Sequence, residues 1–321
     1  MCRLGFHQRG VGTLRILVSG GAGFIGSHLV ERLVSQGDEV TVVDNLSTGS
    51  VKNLDSVMDD VEFIGSDVEN TILSDSYDRI YHLASVANPA DYMEMQLGVL
   101  SSASVGTQRL LDIAHRSGSR FYYFSSSEVY GSHGFGDVLS ECSVSHVQLL
   151  TRRSPYFIAK MFGEQLTISY ERAHGVDARI VRPFNIYGSR MDVRSPYGRV
   201  MTNFIRCAMA GEPLRITGDG EQVRSFCHVD DFIDGLMLLD SMDGRIPVVN
   251  IGNPDPVSIN ELAEKVLQIT GSGSDIIHVD PVENEPRYRC PDVSLMEGLC
   301  KWSPKIGLDD GLKGMYLSMT Q

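Results

Sequence analysis

The feature that most constrains this 321-residue chain is the run Gly20-Gly21-Ala22-Gly23-Phe24-Ile25-Gly26, with glycines at 20, 23 and 26. A short apolar run, Arg15-Ile16-Leu17-Val18-Ser19, leads into it. Phe24 to Gln36 follows, with apolar residues at 25, 29, 30, 33 and 34, a helical spacing. Strand, glycine turn and helix in that order open a β-α-β unit. The rhythm then repeats: Glu39 to Asp44, Val61 to Ile64, Arg79 to Leu83 and Arg120 to Phe124 read as strands, with a long helical stretch from about Met93 to Ser117. Apolar strands alternating with helices predict a parallel sheet covered on both faces, a doubly wound α/β fold of Rossmann type.

A helix from Ser154 to about Ala173 and a sixth strand, Ala178 to Arg182, extend the pattern. Beyond Asn185 the rhythm weakens. Short strands (Leu214 to Thr217, Val248 to Ile251, Ile276 to Val279) mix with helices, and most of the twelve prolines lie from Pro183 onward. The expected organisation is a tail over residues 1–13, a dinucleotide-binding domain over 14–184, and a smaller mixed α/β substrate-binding lobe over 185–321.

Lys and Arg number 28 against 41 Asp and Glu, a formal charge of −13. So acidic a chain has no bulk attraction for nucleic acid or anionic lipid, and any phosphate must be gripped by local geometry. No window holds the roughly 20 apolar residues of a membrane span, and the first 13 residues lack an apolar core of signal-peptide length. Six scattered cysteines without a CxxC pair argue for a reduced, cytoplasmic protein without disulfides or zinc.

The glycine run is a phosphate cradle. Gly20 permits a tight turn, Gly23 lets a pyrophosphate approach the backbone, and Gly26 lets helix pack on strand. The helix amino terminus offers unpaired N–H groups to the phosphates. Asp44 ends the second strand 18 residues after Gly26, where a carboxylate accepts hydrogen bonds from an adenosine ribose and repels a 2′-phosphate. Neither Asn45 nor Leu46 supplies a compensating positive charge, so NAD is expected over NADP. Asp67-Val68 follows the third strand, where the adenine would lie.

Tyr156 and Lys160 are one helical turn apart and share a face. A cofactor ribose and the Lys160 ammonium can stabilise the Tyr156 phenolate, fitting it to take a proton from a sugar hydroxyl. The fifth strand runs into Ser125-Ser126-Ser127-Glu128-Val129-Tyr130-Gly131, where Ser126 could hydrogen-bond the same hydroxyl.

These residues bring the chain close to a known family. From Arg15 to Leu312 it resembles the extended short-chain dehydrogenase/reductases that modify nucleotide sugars, and among them the UDP-glucuronate decarboxylases. The resemblance is carried by Tyr81-His82-Leu83-Ala84-Ser85, Asn88-Pro89-Ala90-Asp91-Tyr92-Met93 and Arg182 to Met191. It continues through Gly198-Arg199-Val200, Gly211-Glu212-Pro213-Leu214, Gly218 to Phe226 and Pro286 to Asp292. It implies transient oxidation of the sugar at C4, loss of CO2 from the resulting β-keto acid, protonation at C5 and hydride return, with NAD regenerated. Tyr156 would deprotonate the C4 hydroxyl, and Glu128 sits where the family has its acid. Asn185, Arg199, Val200, Arg224 and Arg287 would line the UDP-sugar site with Ser126 and Glu128, and Phe24, Ile25, Asn45, Leu46, Ser47, Thr48, Gly49, Leu83, Ala84 and Ser85 would join the cofactor site.

Ser126 replaces the family's usual Thr, Ala103 its usual helix Asn, and the Ser143 to Arg153 segment differs in composition. Ser127-Glu128 lacks the adjacent Asp of 4,6-dehydratases, and Glu128 is larger than the residue 4-epimerases carry. Ser127 also stands where the apiose/xylose synthases and some 5,6-dehydratases often place Cys. Dehydration and epimerisation stay open as alternatives, as does a non-catalytic NAD-binding regulator. The resemblance further implies a homodimer through the Met93 to Ser117 and Ser154 to Ala173 helices, with Leu97, Leu100, Val105, Met161 and Leu166 as compatible apolar positions.

Overall fold

The computed structural model describes residues 12–73, 76–191, 200–281 and 285–320. Strands β1 (Arg15–Ser19), β2 (Glu39–Asp44), β3 (Val61–Gly65), β4 (Arg79–His82) and β5 (Arg120–Phe124) pair in parallel with two later strands, Ala178–Pro183 and Val248–Ile251. The order across the sheet is Val248–Ile251, Ala178–Pro183, β5, β4, β1, β2, β3. The chain reverses its winding between β1 and β4, which opens a crevice at their carboxyl ends.

Alternation within the strands explains the two-sided core. Ile16, Val18, Val40, Val42, Tyr81, Tyr122 and Val181 face the layer that holds helix α1 (Phe24–Ser35) and the Val229–Asp240 helix, and their sequence neighbours Leu17, Val43, Ile80, Phe121, Tyr123 and Ile180 face the opposite side. At the end of β1 the backbone of Gly20 has φ of +78°, and a Cβ there would press 2.7 Å from the Ala84 amide nitrogen. A Cβ on Gly26 would collide with the Gly20 carbonyl, so the first turn of α1 can seat only with glycine there.

The stretch read as one helix from Met93 to Ser117 is broken. It consists of α2 (Pro89–Glu94), α3 (Gln96–Ser101), a π turn at Ser102–Gly106, and α4 (Thr107–Ser117). Met95 leaves helical geometry with ψ of 34°, and the π turn holds Ala103 buried against Tyr156 and Ala159. Helix α5 (Ser154–His174) runs 21 residues until Gly175 turns left-handed at φ 70°.

Beyond Pro183 the chain builds a second apolar cluster from α6 (Val200–Ala210), the parallel pair Leu214–Thr217 and Ile276–Val279, and α8 (Ile259–Thr270). A capping box of Ser258 and Glu261 starts α8. Helix α7 (Val229–Asp240) and the strand Val248–Ile251 return to the first sheet, so the cofactor-side layers draw on residues past 184. A four-stranded sheet, ordered Pro256–Ser258, Val223–Ser225, Tyr288–Pro291 and Val138–Leu139, joins the lobe to the loop after β5.

Candidate active site

A continuous cleft of about 1120 Å³ runs from the glycine turn to the lobe. That exceeds the roughly 300–1,000 Å³ of a pocket for one small ligand and has room for two. At one end it is lined by Gly20, Gly23, Phe24, Ile25, Gly26, Asp44, Asn45, Ser47, Thr48, Gly49, Asp67, Val68, Leu83, Ala84 and Ser85. Asp44 is buried; one oxygen accepts from the Ala22 amide at 3.0 Å and the other from the Leu46 amide at 2.8 Å. Burial raises its carboxyl above the ordinary aspartate value, and these two N–H groups work against that. Asn45 donates to Asp67 at 2.7 Å, tying the loops after β2 and β3. Leu46 departs from expectation: it takes a left-handed φ of 59°, its side chain is exposed, and it is not among the lining residues. Its contribution is the backbone N–H that holds Asp44.

Mid-cleft, Tyr156 and Lys160 stand on successive turns of α5, each 5% exposed. Lys160 Nζ donates to the Phe124 carbonyl at 2.8 Å and lies 5.8 Å from the centre of the Tyr156 ring. Burial lowers the Lys160 ammonium to about 7, with Glu164 opposing. Ser126 caps the turn Ser127–Tyr130, its hydroxyl accepting from the Glu128 amide at 3.2 Å. The hydroxyls of Ser85 and Ser125, both on the cleft wall, are buried with no hydrogen-bond partner among the described residues. Polar atoms of that kind call for a polar ligand.

Glu128 Oε1 receives two guanidinium groups, Arg289 Nη1 at 2.5 Å and Arg153 Nη2 at 3.3 Å. Burial pushes the Glu128 carboxyl up, but Arg289, Arg153 and Arg224 together hold it below the ordinary glutamate value. Arg224 binds the Val223 carbonyl at 2.8 Å and Glu285 at 3.2 Å. Burial, reinforced by Arg289, brings it down to about 10. Asn185 lines the cleft at φ 41°, its amide donating to the Ser225 carbonyl at 2.8 Å. Val200 opens α6 on the cleft wall, and Arg199 lies outside the described residues.

Arg287 is a correction. It is half exposed and forms a two-pronged pair with Asp219 at 2.7 and 3.0 Å, away from the cleft wall. It sits at the rim just before the strand Tyr288–Pro291, within reach of the turn at Gly218–Glu221. Arg289, two residues on, enters the strand and the site instead. Arg153 and Tyr92 were likewise missed by sequence reasoning. The first stands three residues before Tyr156, a spacing that puts both on one helical face; the second sits within the quoted Asn88 to Met93 motif.

Residues 16–252 match the NAD dependent epimerase/dehydratase family. The chain belongs to that family. Among its relatives, UDP-glucuronic acid decarboxylase 1 of Xenopus tropicalis is 39% identical over 300 residues, 93% of this chain and 70% of that protein. UDP-glucuronic acid decarboxylase 3 of Arabidopsis thaliana is 40% identical over 303 residues, 94% of this chain and 87% of that protein. A crystal structure of UDP-glucuronic acid 4-epimerase from Bacillus cereus, in complex with UDP-glucuronic acid and NAD, superposes with a TM-score of 0.86 at 28% identity, covering 96% of this chain and 99% of that one.

For this member of the NAD dependent epimerase/dehydratase family the cofactor is NAD, and the residues fit it. The glycine turn leaves no Cβ in the phosphate path, Asp44 offers a carboxylate to the ribose diol, and Ser85 and Ser125 offer unsatisfied hydroxyls.

Proposed function

We propose that this chain is an NAD-dependent UDP-glucuronate decarboxylase. The observation that carries this reading is the Glu128–Arg153–Arg289 cluster, with Arg224 beside it, on the same cleft wall as Tyr156 and Lys160. A cation-rich end in the same cleft as a proton-transfer pair suits a sugar acid, and the decarboxylase relatives at about 40% identity support the same substrate.

When bound, NAD supplies a hydride acceptor for C4 of the sugar that later returns the hydride. Tyr156 takes the proton of the C4 hydroxyl and gives it back at the end, with Ser126 as hydrogen-bond partner. Lys160, lowered to about 7 by burial, exchanges its own proton readily at neutral pH and favours the phenolate while protonated. Arg153, Arg224 and Arg289 grip the sugar carboxylate, which a ketone at C4 turns into a labile β-keto acid. Glu128 is ionised while the guanidinium groups hold it, so it starts as their anchor. A substrate carboxylate that draws one of them away raises the proton affinity of Glu128, so that it takes a proton from solvent and delivers it at C5.

A second reading is 4-epimerisation of the same sugar, favoured by the crystal neighbour named as a UDP-glucuronic acid 4-epimerase. Incubation with UDP-glucuronate and mass detection separates the outcomes: loss of CO2 supports decarboxylation, loss of water dehydration, and unchanged mass with altered retention epimerisation.

We further propose a cytoplasmic homodimer formed through α3 and α5. No helix among the described residues is long and apolar enough to cross a membrane. Leu97, Leu100 and Val105 of the expected positions are exposed, as is Phe162 on α5, whereas Met161 and Leu166 pack inward. Light scattering at twice the chain mass supports the dimer, and the monomer mass removes it.

A further inference from the structure

Arg153 touches two groups at once. Its Nη2 reaches Glu128 Oε1 at 3.3 Å and its Nε donates to the Tyr92 hydroxyl at 3.1 Å. The Tyr92 ring lies flat against the Tyr156 ring, with centroids 4.6 Å apart and 6° between the planes. Tyr92 is 1% exposed, on a short helix whose entry is fixed by Asn88 accepting from the Ala90 amide. So the ring that faces the catalytic phenol has its far end fastened to the arginine cluster.

That fastening can move. Glu128 Oε1 is shared between Arg289 at 2.5 Å and Arg153 at 3.3 Å, and the longer contact is the weaker one. Around Glu128, the guanidinium groups of Arg153, Arg224 and Arg289 face the carboxylates of Glu128 and Glu285, an excess of one positive charge that an incoming carboxylate neutralises.

We propose that Tyr92 is a positioning residue that ties the plane of the Tyr156 phenol to the place of Arg153, so that a sugar carboxylate drawing Arg153 off Glu128 sets the phenol for proton transfer. The inference rests on the decarboxylase reading and deepens it: the chain selects a uronate through turnover as well as through binding. A neutral sugar, which cannot pull on Arg153, gains nothing from the Tyr92 hydroxyl.

The test compares two sugars on the full chain with NAD. UDP-glucuronate reports CO2 release. UDP-xylose in D2O reports C4 oxidation without a carboxylate, because a ketone at C4 acidifies C5 and its hydrogen exchanges for deuterium. Tyr92→Phe keeps the stacked ring and loses the hydroxyl. It is expected to lower kcat for CO2 release about tenfold with KM within about twofold, while UDP-xylose exchange stays within about twofold of the parent. Arg153→Gln cuts the same tie from the other end, and adding Tyr92→Phe to it should lower kcat no further.

Unchanged kcat in Tyr92→Phe overturns the inference, and so does an equal loss on both sugars, which marks a merely structural ring. If Tyr92→Phe does not fold, Arg153→Lys decides: it keeps a charge for the carboxylate and loses the Nε donor to Tyr92, so a fall in kcat for UDP-glucuronate with KM within about twofold supports the tie, and parental kcat or an equal loss on both sugars overturns it. A parent chain that releases no CO2 overturns the functional reading and this inference with it. A working parent beside an unaffected Tyr92→Phe overturns only the inference.

Discussion

Arg289 Nη1 donates to Glu128 Oε1 at 2.5 Å, pinning a strand of the lobe to the turn that follows β5 across 161 residues of chain. Because Glu128 is also near Arg153 and Arg224, this one contact joins both halves of the cleft.

Arg289→Ala removes the shorter of the two Glu128 hydrogen-bond partners and leaves Arg153 as the remaining one, with Arg224 nearby. A charged hydrogen bond of this kind contributes about 2 kcal/mol, so the thermal midpoint of a chain this long should fall by roughly 3 °C in calorimetry. CO2 release should fall further than stability does, and a variant with parental turnover would contradict the assigned site.

Asp44→Asn keeps an acceptor for only one of the Ala22 and Leu46 amides, turns its NH2 on the other, and removes the charge that faces the ribose and repels a 2′-phosphate. Calorimetric titration should show NAD binding weakened about tenfold, equivalent to about 1.4 kcal/mol, and the preference over NADP narrowed. Equal discrimination in the variant would place the selectivity elsewhere.

Burial holds the Lys160 ammonium down at about 7 in the folded chain, against about 10.5 for an ordinary lysine. Between those two values the unfolded chain holds a proton that the folded chain has released, so stability rises with pH across that window and is independent of this group below it. The slope from one such group approaches about 1.4 kcal/mol per pH unit. Lys160→Met cannot titrate, so urea unfolding at pH 7, 8 and 9 should show the parent gaining on the variant at each step. A constant difference would mean that the ammonium is not desolvated.

Arg287→Ala is the control. Its partner Asp219 is exposed, and neither lines the cleft. The kcat and KM for UDP-glucuronate should both stay within about twofold of the parent, because an exposed pair contributes little. A raised KM would restore the substrate role expected for Arg287 from the sequence.

What could be read in advance was local. The glycine run, Asp44 and the Tyr156–Lys160 pair are set by spacing within one strand-turn-helix unit or one helical turn, and sequence carries such spacing directly. The arginine cluster is different. Glu128, Arg153 and Arg289 meet only because the strand Tyr288–Pro291 joins the sheet that also holds Val138–Leu139, a pairing no local pattern announces. Arg287 and Arg289 look equivalent along the chain, and only the reach of Asp219 separates them. The break at Met95 and the π turn beyond it stand in a stretch whose apolar spacing reads as one uninterrupted helix. Val248–Ile251 falls within the expected lobe, yet it pairs with Ala178–Pro183 across more than sixty residues of chain, a separation no local pattern spans.

That last pairing has a consequence for how the molecule is made. The Ala178–Pro183 strand waits with one edge open until the whole of residues 184–247 has been synthesised and Val248–Ile251 can dock. A nascent or truncated chain ending near 184 would present that bare edge to other chains, a ready template for aggregation. The two halves are therefore interleaved in synthesis, and neither can be excised as a free-standing unit.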